Sequence, residues 1–164
     1  TTAYLLFRLW SAGFAPNRIV VMPFAEIMPA VRDGRVDAGL VIHEARFTYG
    51  AYGLTAVADL GQWWEADTGL PIPLGAIVAR RSLDLDAVTG WIRASVRAAW
   101  ADPGASGAYV RAHAQEMAPD VVRRHIDLYV NSFTEDLGEE GHAAVVALLG
   151  RAATAGLVPP VTVE

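Results

Sequence analysis

The chain has 164 residues, 53% of them hydrophobic, which is enough apolar material for a packed core and excludes a disordered protein. Its formal net charge of −5 offers no basic field, so neither nucleic acid nor a membrane surface is an expected partner. The chain contains no cysteine, which excludes disulfides and thiolate metal sites and fits a cytoplasmic protein. No stretch approaches the roughly 18 apolar residues that a membrane span needs.

Three segments in the first half of the chain carry helix signals. Thr1 and Thr2 are N-cap residue types in front of apolar side chains at helical spacing, and Gly13 follows as a stop. A second helix is predicted over residues 24–33. Asp59 is predicted to cap a third helix, which a glycine ends.

Four short apolar runs lie between or beside these helices. They cover residues 18–22, 36–42, 54–58 and 74–79. Short apolar runs rich in Val, Ile and Leu and bounded by glycine or proline are typical of buried strands. The repeated order of helix, glycine and strand therefore predicts an α/β fold, with a parallel or mixed sheet covered by helices.

Beyond Arg81 the pattern is helical alone. Helices are predicted over residues 84–101, 103–116, 119–134 and 139–155. Asp102 is predicted to cap the second of these helices, with Pro103 at its first position. Four successive helices with apolar faces need a partner, so we expect them to pack against something larger than this chain offers.

The stretch GLVIHEARFTYG, residues 39–50, places a titratable pair at the end of a predicted strand. Ligands of open α/β sheets collect at the carboxyl ends of strands, and imidazole is the side chain best suited to proton abstraction near neutral pH. His43 is therefore a candidate general base. The alternative is a histidine that only caps the next helix or is partly buried and hydrogen-bonded.

The neighbours of His43 have ordinary explanations as well as functional ones. Glu44 could orient the imidazole, but a carboxylate that offsets a helix dipole is the favoured interpretation. Arg46 could bind a substrate carboxylate, although a surface arginine is the more common case. Thr1 and Thr2 offer hydroxyl groups and helix N-terminal amides to a ligand, but as caps they need none.

The remaining candidates favour structural roles. Trp63 and Trp64 are adjacent, so at most one of them can easily face a cleft. His113, His125 and His142 lie on separate predicted helices without the spacing of a helical metal site. The sequence has no glycine-rich phosphate loop and no calcium loop. We therefore predict neither a metal nor a cofactor.

Four segments together resemble one known family. TTAYLLFRLW, HEARFTYGAYGL, DLGQWWEADTGLPIPLGA and YVRAHAQEM, in this order, are similar to the 1,4-dihydroxy-6-naphthoate synthases of the futalosine route to menaquinone. The resemblance implies a fold of the periplasmic binding protein type II kind, with two α/β lobes of three layers (α/β/α) around a cleft. It also implies a cytoplasmic lyase that converts cyclic dehypoxanthinylfutalosine, a small-molecule substrate, without a metal or redox cofactor.

The resemblance assigns roles to particular residues. It implies that His43 is the general base and that Thr1, Thr2 and Ala3 contact the substrate. Members of the family carry further residues before the Thr-Thr-Ala motif, so we expect a C-terminal fragment. In this picture residues 1–72 form most of the second lobe, and residues 73–164 form a crossover strand and the C-terminal helices of the first lobe.

Two other functions share the implied fold. Chorismate dehydratase of the same pathway has a similar framework, but we expect it to lack the His-Glu pair after the strand. A non-catalytic solute-binding protein of a transporter would use His43 only as a hydrogen-bonding group. Oligomeric state is not predicted.

Overall fold

The computed structural model describes residues 1–13, 18–113 and 118–162. The chain divides into two compact units, here called the first unit (Thr1–Leu74 with Glu140–Glu164) and the second unit (Gly75–Glu139). The helices are α1 (Thr2–Trp10), α2 (Phe24–Arg32), α3 (Ala45–Thr48), α4 (Leu60–Thr68), α5 (Leu85–Ala101), α6 (Gly107–His113), α7 (Pro119–Tyr129), α8 (Ser132–Glu135) and α9 (Gly138–Thr154), with a 3-10 helix at Tyr49–Tyr52 after α3. None of the helices in the described ranges is long and apolar enough to cross a bilayer.

The core of the first unit is built from α1, α4 and α9. Leu6, Trp64 and Leu148 form one buried cluster, and Leu6 and Trp64 are fully excluded from solvent. The indole Nε1 of Trp64 donates a hydrogen bond of 3.1 Å to the carbonyl oxygen of Pro71, so the polar end of the buried ring is satisfied. This residue therefore joins α4 to the segment that follows it as well as to α1 and α9.

The N-caps of α1 and α4 and the end of α4 are those that the sequence predicts, whereas α1 ends at Trp10 with Ser11 as its C-cap, before the predicted stop at Gly13. Thr1 Oγ1 accepts a hydrogen bond of 3.3 Å from the Tyr4 amide at the start of α1. Asp59 caps α4, and Gly69 ends α4 with a left-handed φ of +69°. Each of these residues satisfies backbone groups that have no partner inside the helix, which fixes where the helix begins or ends.

The predicted strands are wrong for the described residues, none of which is assigned to a strand. The segments are irregular, and several of their apolar side chains are open to solvent: Val21 is 92% exposed, Val57 82% and Val78 87%. A segment forms a β-strand only when a neighbouring strand supplies the partners for its backbone hydrogen bonds. The layered α/β/α arrangement is accordingly not formed by the described residues, which are mostly helical.

The second unit is held by contacts between α5 and α8. The predicted helix at 103–116 begins later, at Gly107, because the Asp102 side chain accepts a hydrogen bond of 3.0 Å from the Gly104 amide and stabilises a turn instead. Residues 114–116 of that prediction lie outside the described residues. The helix predicted at 119–134 is interrupted: α7 ends at Tyr129, and Asn131 caps α8 with a capping box.

Candidate functional site

His43 lies at the end of an irregular segment and has an unusual backbone. Its φ is +55°, and no other non-glycine residue in the described ranges has a positive φ. The left-handed region costs most residues about 1–2 kcal/mol, although histidine visits it more readily than most. The imidazole is exposed rather than buried among aliphatic side chains. His43 thus combines a backbone conformation that most residues avoid with an exposed titratable side chain.

The segment before His43 is packed tightly on α2. A Cβ atom added at Gly39 would lie 2.5 Å from Ile27 Cγ2 and 3.1 Å from Val31 Cγ2, so a larger residue here would force a neighbouring side chain to shift. This close approach brings His43 beside the first residue of α2. The imidazole and the Phe24 ring meet edge to face, with centroids 6.1 Å apart and planes at 78°.

The turn after His43 is fixed by short-range hydrogen bonds. The Arg46 amide donates to the carbonyl oxygen of His43 at 3.2 Å, and the Phe47 amide donates to that of Glu44 at 2.9 Å. Ala45, the first residue of α3, is buried. Glu44 stands at the N-cap position of α3, but its side chain makes no capping hydrogen bond. Glu44 thus precedes the helix instead of lying in its first turn, where the dipole interpretation placed it.

Arg46 has a partner that the sequence did not reveal. Its Nη2 lies 2.6 Å from Oδ2 of Asp59, and the two side chains are 42% and 28% exposed. The other carboxylate oxygen of Asp59, Oδ1, accepts hydrogen bonds from the amides of Gly61 at 3.0 Å and Gln62 at 3.1 Å. Asp59 therefore serves two purposes at once: it caps α4 and binds the helix that follows His43.

The segment Thr1–Ala3, the predicted substrate-binding part of the site, lies at the start of α1. Thr1 is exposed and caps α1, and α1 packs against α4. The Arg46–Asp59 pair joins the turn after His43 to the start of α4. Helix α4 is thus the element on which both predicted parts of the site are supported.

The adjacent tryptophans point to different places, as the sequence predicts. Trp64 is in the core, whereas Trp63 is partly buried and lines an open groove of about 480 Å³ in the first unit. The groove is also lined by Leu9, Gly150, Arg151, Thr154 and Ala155, and by none of the predicted site residues. The guanidinium of Arg151 lies 5.3 Å from the centre of the Trp64 ring and pairs with Asp67.

Within residues 1–13, 18–113 and 118–162, no group of three or more histidine, aspartate or glutamate side chains is placed to hold an ion. His113 instead contacts the ring of Tyr109, with centroids 4.4 Å apart. The chemistry available around His43 is that of an imidazole, a nearby aromatic ring and a paired guanidinium.

Comparison with known proteins is specific: residues 1–154 match the family model described as menaquinone biosynthesis. The chain belongs to this family.

Named relatives confirm the resemblance found in the sequence motifs. The chain is 67% identical over 165 residues to the 1,4-dihydroxy-6-naphtoate synthase of Streptomyces coelicolor, a match that covers 97% of this chain and 58% of that protein. It is 49% identical over 163 residues to the protein of the same name from Thermus thermophilus, covering 98% of this chain and 59% of that protein.

A solved structure shows the same arrangement of the backbone. The crystal structure of a protein from Archaeoglobus fulgidus matches with a TM-score of 0.86 and 37% sequence identity, over 96% of this chain and 60% of that one. The chain therefore spans between 58% and 60% of the length of these similar proteins.

Proposed function

We propose that this chain carries the catalytic histidine of a 1,4-dihydroxy-6-naphthoate synthase, a lyase that forms 1,4-dihydroxy-6-naphthoate from cyclic dehypoxanthinylfutalosine. The observation that carries this proposal is the 67% identity, over nearly the whole chain, with the Streptomyces coelicolor synthase. The proposed partner is this small-molecule substrate, and the proposed location is the cytoplasm. The comparisons favour neither chorismate dehydratase nor a solute-binding protein.

In the proposed reaction His43 is the general base. A neutral imidazole removes a proton from a ribose-derived position of the substrate, a carbon–carbon bond breaks, and the electrons move toward the developing aromatic ring. Two features of the structure support this role: the exposed ring and the left-handed backbone that presents it. Gly39 supports it indirectly, because the close packing on α2 fixes the end of the segment that carries the base.

Thr1, Thr2 and Ala3 are proposed to bind polar groups of the substrate at the start of α1. The amides of a first helical turn lack partners within the helix, so they can bind an anionic or hydroxyl group. Thr1 Oγ1 accepts from the Tyr4 amide, which leaves the hydroxyl proton to be donated to a ligand. Ala3 adds no polar side chain, and its proposed contribution is its backbone.

The proposed fold of the complete protein is the two-lobed periplasmic binding protein type II fold. In it, residues 1–72 supply most of the second lobe and residues 73–164 cross back to the first. This proposal rests on the sequence resemblance, and the matched crystal structure, of which this chain covers 60%, is long enough to include the rest of a second lobe. The proposed division assigns α9 to the first lobe with the rest of residues 73–164. In this structure, however, Leu148 of α9 packs with Leu6 and Trp64, which belong to residues 1–72. The position of α9 in the complete protein is therefore the best test of the proposed division.

The experiment is a His43→Gln substitution in the product of the complete reading frame, assayed with cyclic dehypoxanthinylfutalosine. Glutamine keeps a polar side chain of similar reach but cannot act as the base. We expect kcat to fall about 10²- to 10⁴-fold while the substrate still binds, because a positioned general base contributes about that much. Turnover close to that of the unsubstituted protein would contradict the role of His43.

The control is His113→Gln, which removes an exposed imidazole from α6 in the second unit. It should leave turnover unchanged. Chorismate is assayed in parallel: conversion of chorismate alone identifies a dehydratase, and tight binding of a ligand without any turnover identifies a solute-binding protein. Either result would replace the proposed function.

A further inference from the structure

The turn that carries His43 is tied to α4 by one ion pair. Arg46 follows His43 by three residues, and its amide donates to the His43 carbonyl oxygen at 3.2 Å. Its guanidinium reaches Oδ2 of Asp59 at 2.6 Å. The backbone hydrogen bond and the ion pair thus lead from His43 to Asp59 through a single residue.

Asp59 is itself held on a rigid element. Its Oδ1 accepts from the amides of Gly61 and Gln62, which fixes the carboxylate at the first turn of α4. Trp64, one helical turn further on, is fully buried and hydrogen-bonded to Pro71. Side chains whose rotamers are fixed by packing and hydrogen bonds are the ones that can hold a functional group in a defined position.

The local packing is shaped to admit this pair. Gly61 is buried, and a Cβ atom there would lie 3.3 Å from Oδ1 of Asp59 and 3.8 Å from Nη1 of Arg46. The guanidinium therefore passes directly over the start of α4. A side chain at this position would press on the Asp59 carboxylate, whereas its contact with the Arg46 guanidinium would be an ordinary one.

We infer that Arg46 and Asp59 are positioning residues for His43. The pair holds α3 against α4 and thereby fixes the left-handed turn from which the imidazole projects. The inference rests on the proposed role of His43 as the base. An ion pair with this much solvent exposure contributes little to stability, so its effect should be on the geometry of the imidazole.

The test compares two aspartates of the same helix region. Asp59→Asn keeps a residue that caps a helix as well as aspartate does, but Arg46 loses its charged partner. Asp67→Asn is the matched control, because it removes the ion pair between α4 and Arg151 without touching the turn after His43. Both are made in the product of the complete reading frame, beside His43→Gln.

For Asp59→Asn we expect kcat to fall about 10- to 100-fold with KM within about twofold, because a small misplacement of a catalytic group costs about this much. Asp67→Asn should keep both constants, and the two variants should lower the melting temperature by similar small amounts. The double variant Arg46→Met/Asp59→Asn should be no slower than the slower of its two single variants, because the two residues act as one unit. Full additivity of the two losses would overturn the inference.

A second measurement does not depend on catalysis. The imidazole carbon–hydrogen signals of His43 are recorded by NMR, assigned by their loss in His43→Gln. We expect them to shift and broaden in Asp59→Asn and to stay unchanged in Asp67→Asn. Unchanged signals in Asp59→Asn would overturn the inference whatever the turnover. Full activity of His43→Gln together with shifted signals in Asp59→Asn would instead overturn the role of His43 as the base, while the pair would still be shown to position the imidazole.

Discussion

The first unit and the second unit are each stabilised internally by a different kind of interaction. In the first unit, Leu6 and Trp64 are completely buried and Leu148 nearly so, and the three residues come from three helices. In the second unit, the buried apolar side chains within its described residues are only Val96 and Val121. Two ion pairs join α5 to the end of α8 and its C-cap: Arg93 with Asp136 and Arg97 with Glu135.

This difference shows which kind of contact can support a site. Burial of an apolar side chain such as Leu6 stabilises a fold by roughly 1.5–3 kcal/mol, whereas exposed ion pairs contribute about 0–1 kcal/mol and are screened by salt. The proposed catalytic residue lies in the unit with the apolar core. We therefore expect the backbone of the first unit to be the more protected from local opening.

The largest expected effect is that of Trp64→Ala in the core of the first unit. The substitution leaves a cavity and removes the donor to the Pro71 carbonyl oxygen. We expect a loss of about 3–5 kcal/mol in the free energy of unfolding. The measurement is urea unfolding followed by far-ultraviolet circular dichroism.

Trp91→Ala is the matched control in the second unit, where the Trp91 side chain is 71% exposed on α5. It should change the free energy of unfolding by no more than about 0.5 kcal/mol. If Trp91→Ala were as costly as Trp64→Ala, then Trp91 would be covered in solution, and the comparison between the two units would be wrong.

The next effect is expected at Gly39, which allows the segment before His43 to lie on α2. In Gly39→Ala the new methyl group would meet Ile27 Cγ2 at 2.5 Å, closer than carbon atoms pack. We expect a loss of about 1–3 kcal/mol, as for other overpacked sites. The same urea unfolding measures it.

Gly75→Ala is the corresponding control at the start of the second unit, because a Cβ atom there has no neighbour within 4 Å. It should be neutral or slightly stabilising, since alanine restricts the unfolded chain more than glycine does. Equal losses at Gly39 and Gly75 would show that the packing on α2 is not what limits position 39.

Helix ends were predictable from the sequence because their causes are local. Thr1 bonds an amide three residues away, and Asp59 bonds amides two and three residues away, so residue type and position suffice. Strands were not predictable in the same way. The runs that include Val21, Val57 and Val78 have the composition of β-strands. A β-strand also needs a neighbouring strand as its hydrogen-bonding partner, and the composition of one segment does not show whether such a partner is present.

The candidate site also contains features that local sequence predicts and features that depend on a distant partner. His43 could be singled out by its chemistry and by the apolar run before it. Its left-handed backbone could not, because glycine is the residue that normally occupies this conformation. The Arg46–Asp59 pair joins residues 13 positions apart, and neither residue type indicates which opposite charge it will meet. The sequence therefore singled out the proposed base but did not reveal the ion pair that we infer positions it.

The smallest expected effect concerns an exposed ion pair in the first unit, where α2 ends. Arg32 Nε lies 2.8 Å from Oδ1 of Asp33, and this hydrogen bond, aided by the positive charges of Arg32 and Arg35, holds the pKa of Asp33 below its ordinary value. A lowered carboxyl pKa stabilises the folded state at pH values above the ordinary pKa. That stabilisation is lost as the pH falls through the lowered pKa.

Because both side chains are about half exposed, this contribution should be too small to shift the unfolding transition and is better measured by carboxyl NMR titration of Asp33. In Arg32→Gln the midpoint should rise toward the ordinary value, since the hydrogen bond is the main cause of the shift. In Arg35→Gln it should rise less, because Arg35 acts through its charge alone. An unchanged midpoint in Arg32→Gln would mean that the Arg32–Asp33 pair does not persist in water. Exchange of an exposed ion pair with water is also the reason why we expect the exposed pairs of the second unit to contribute little to its stability.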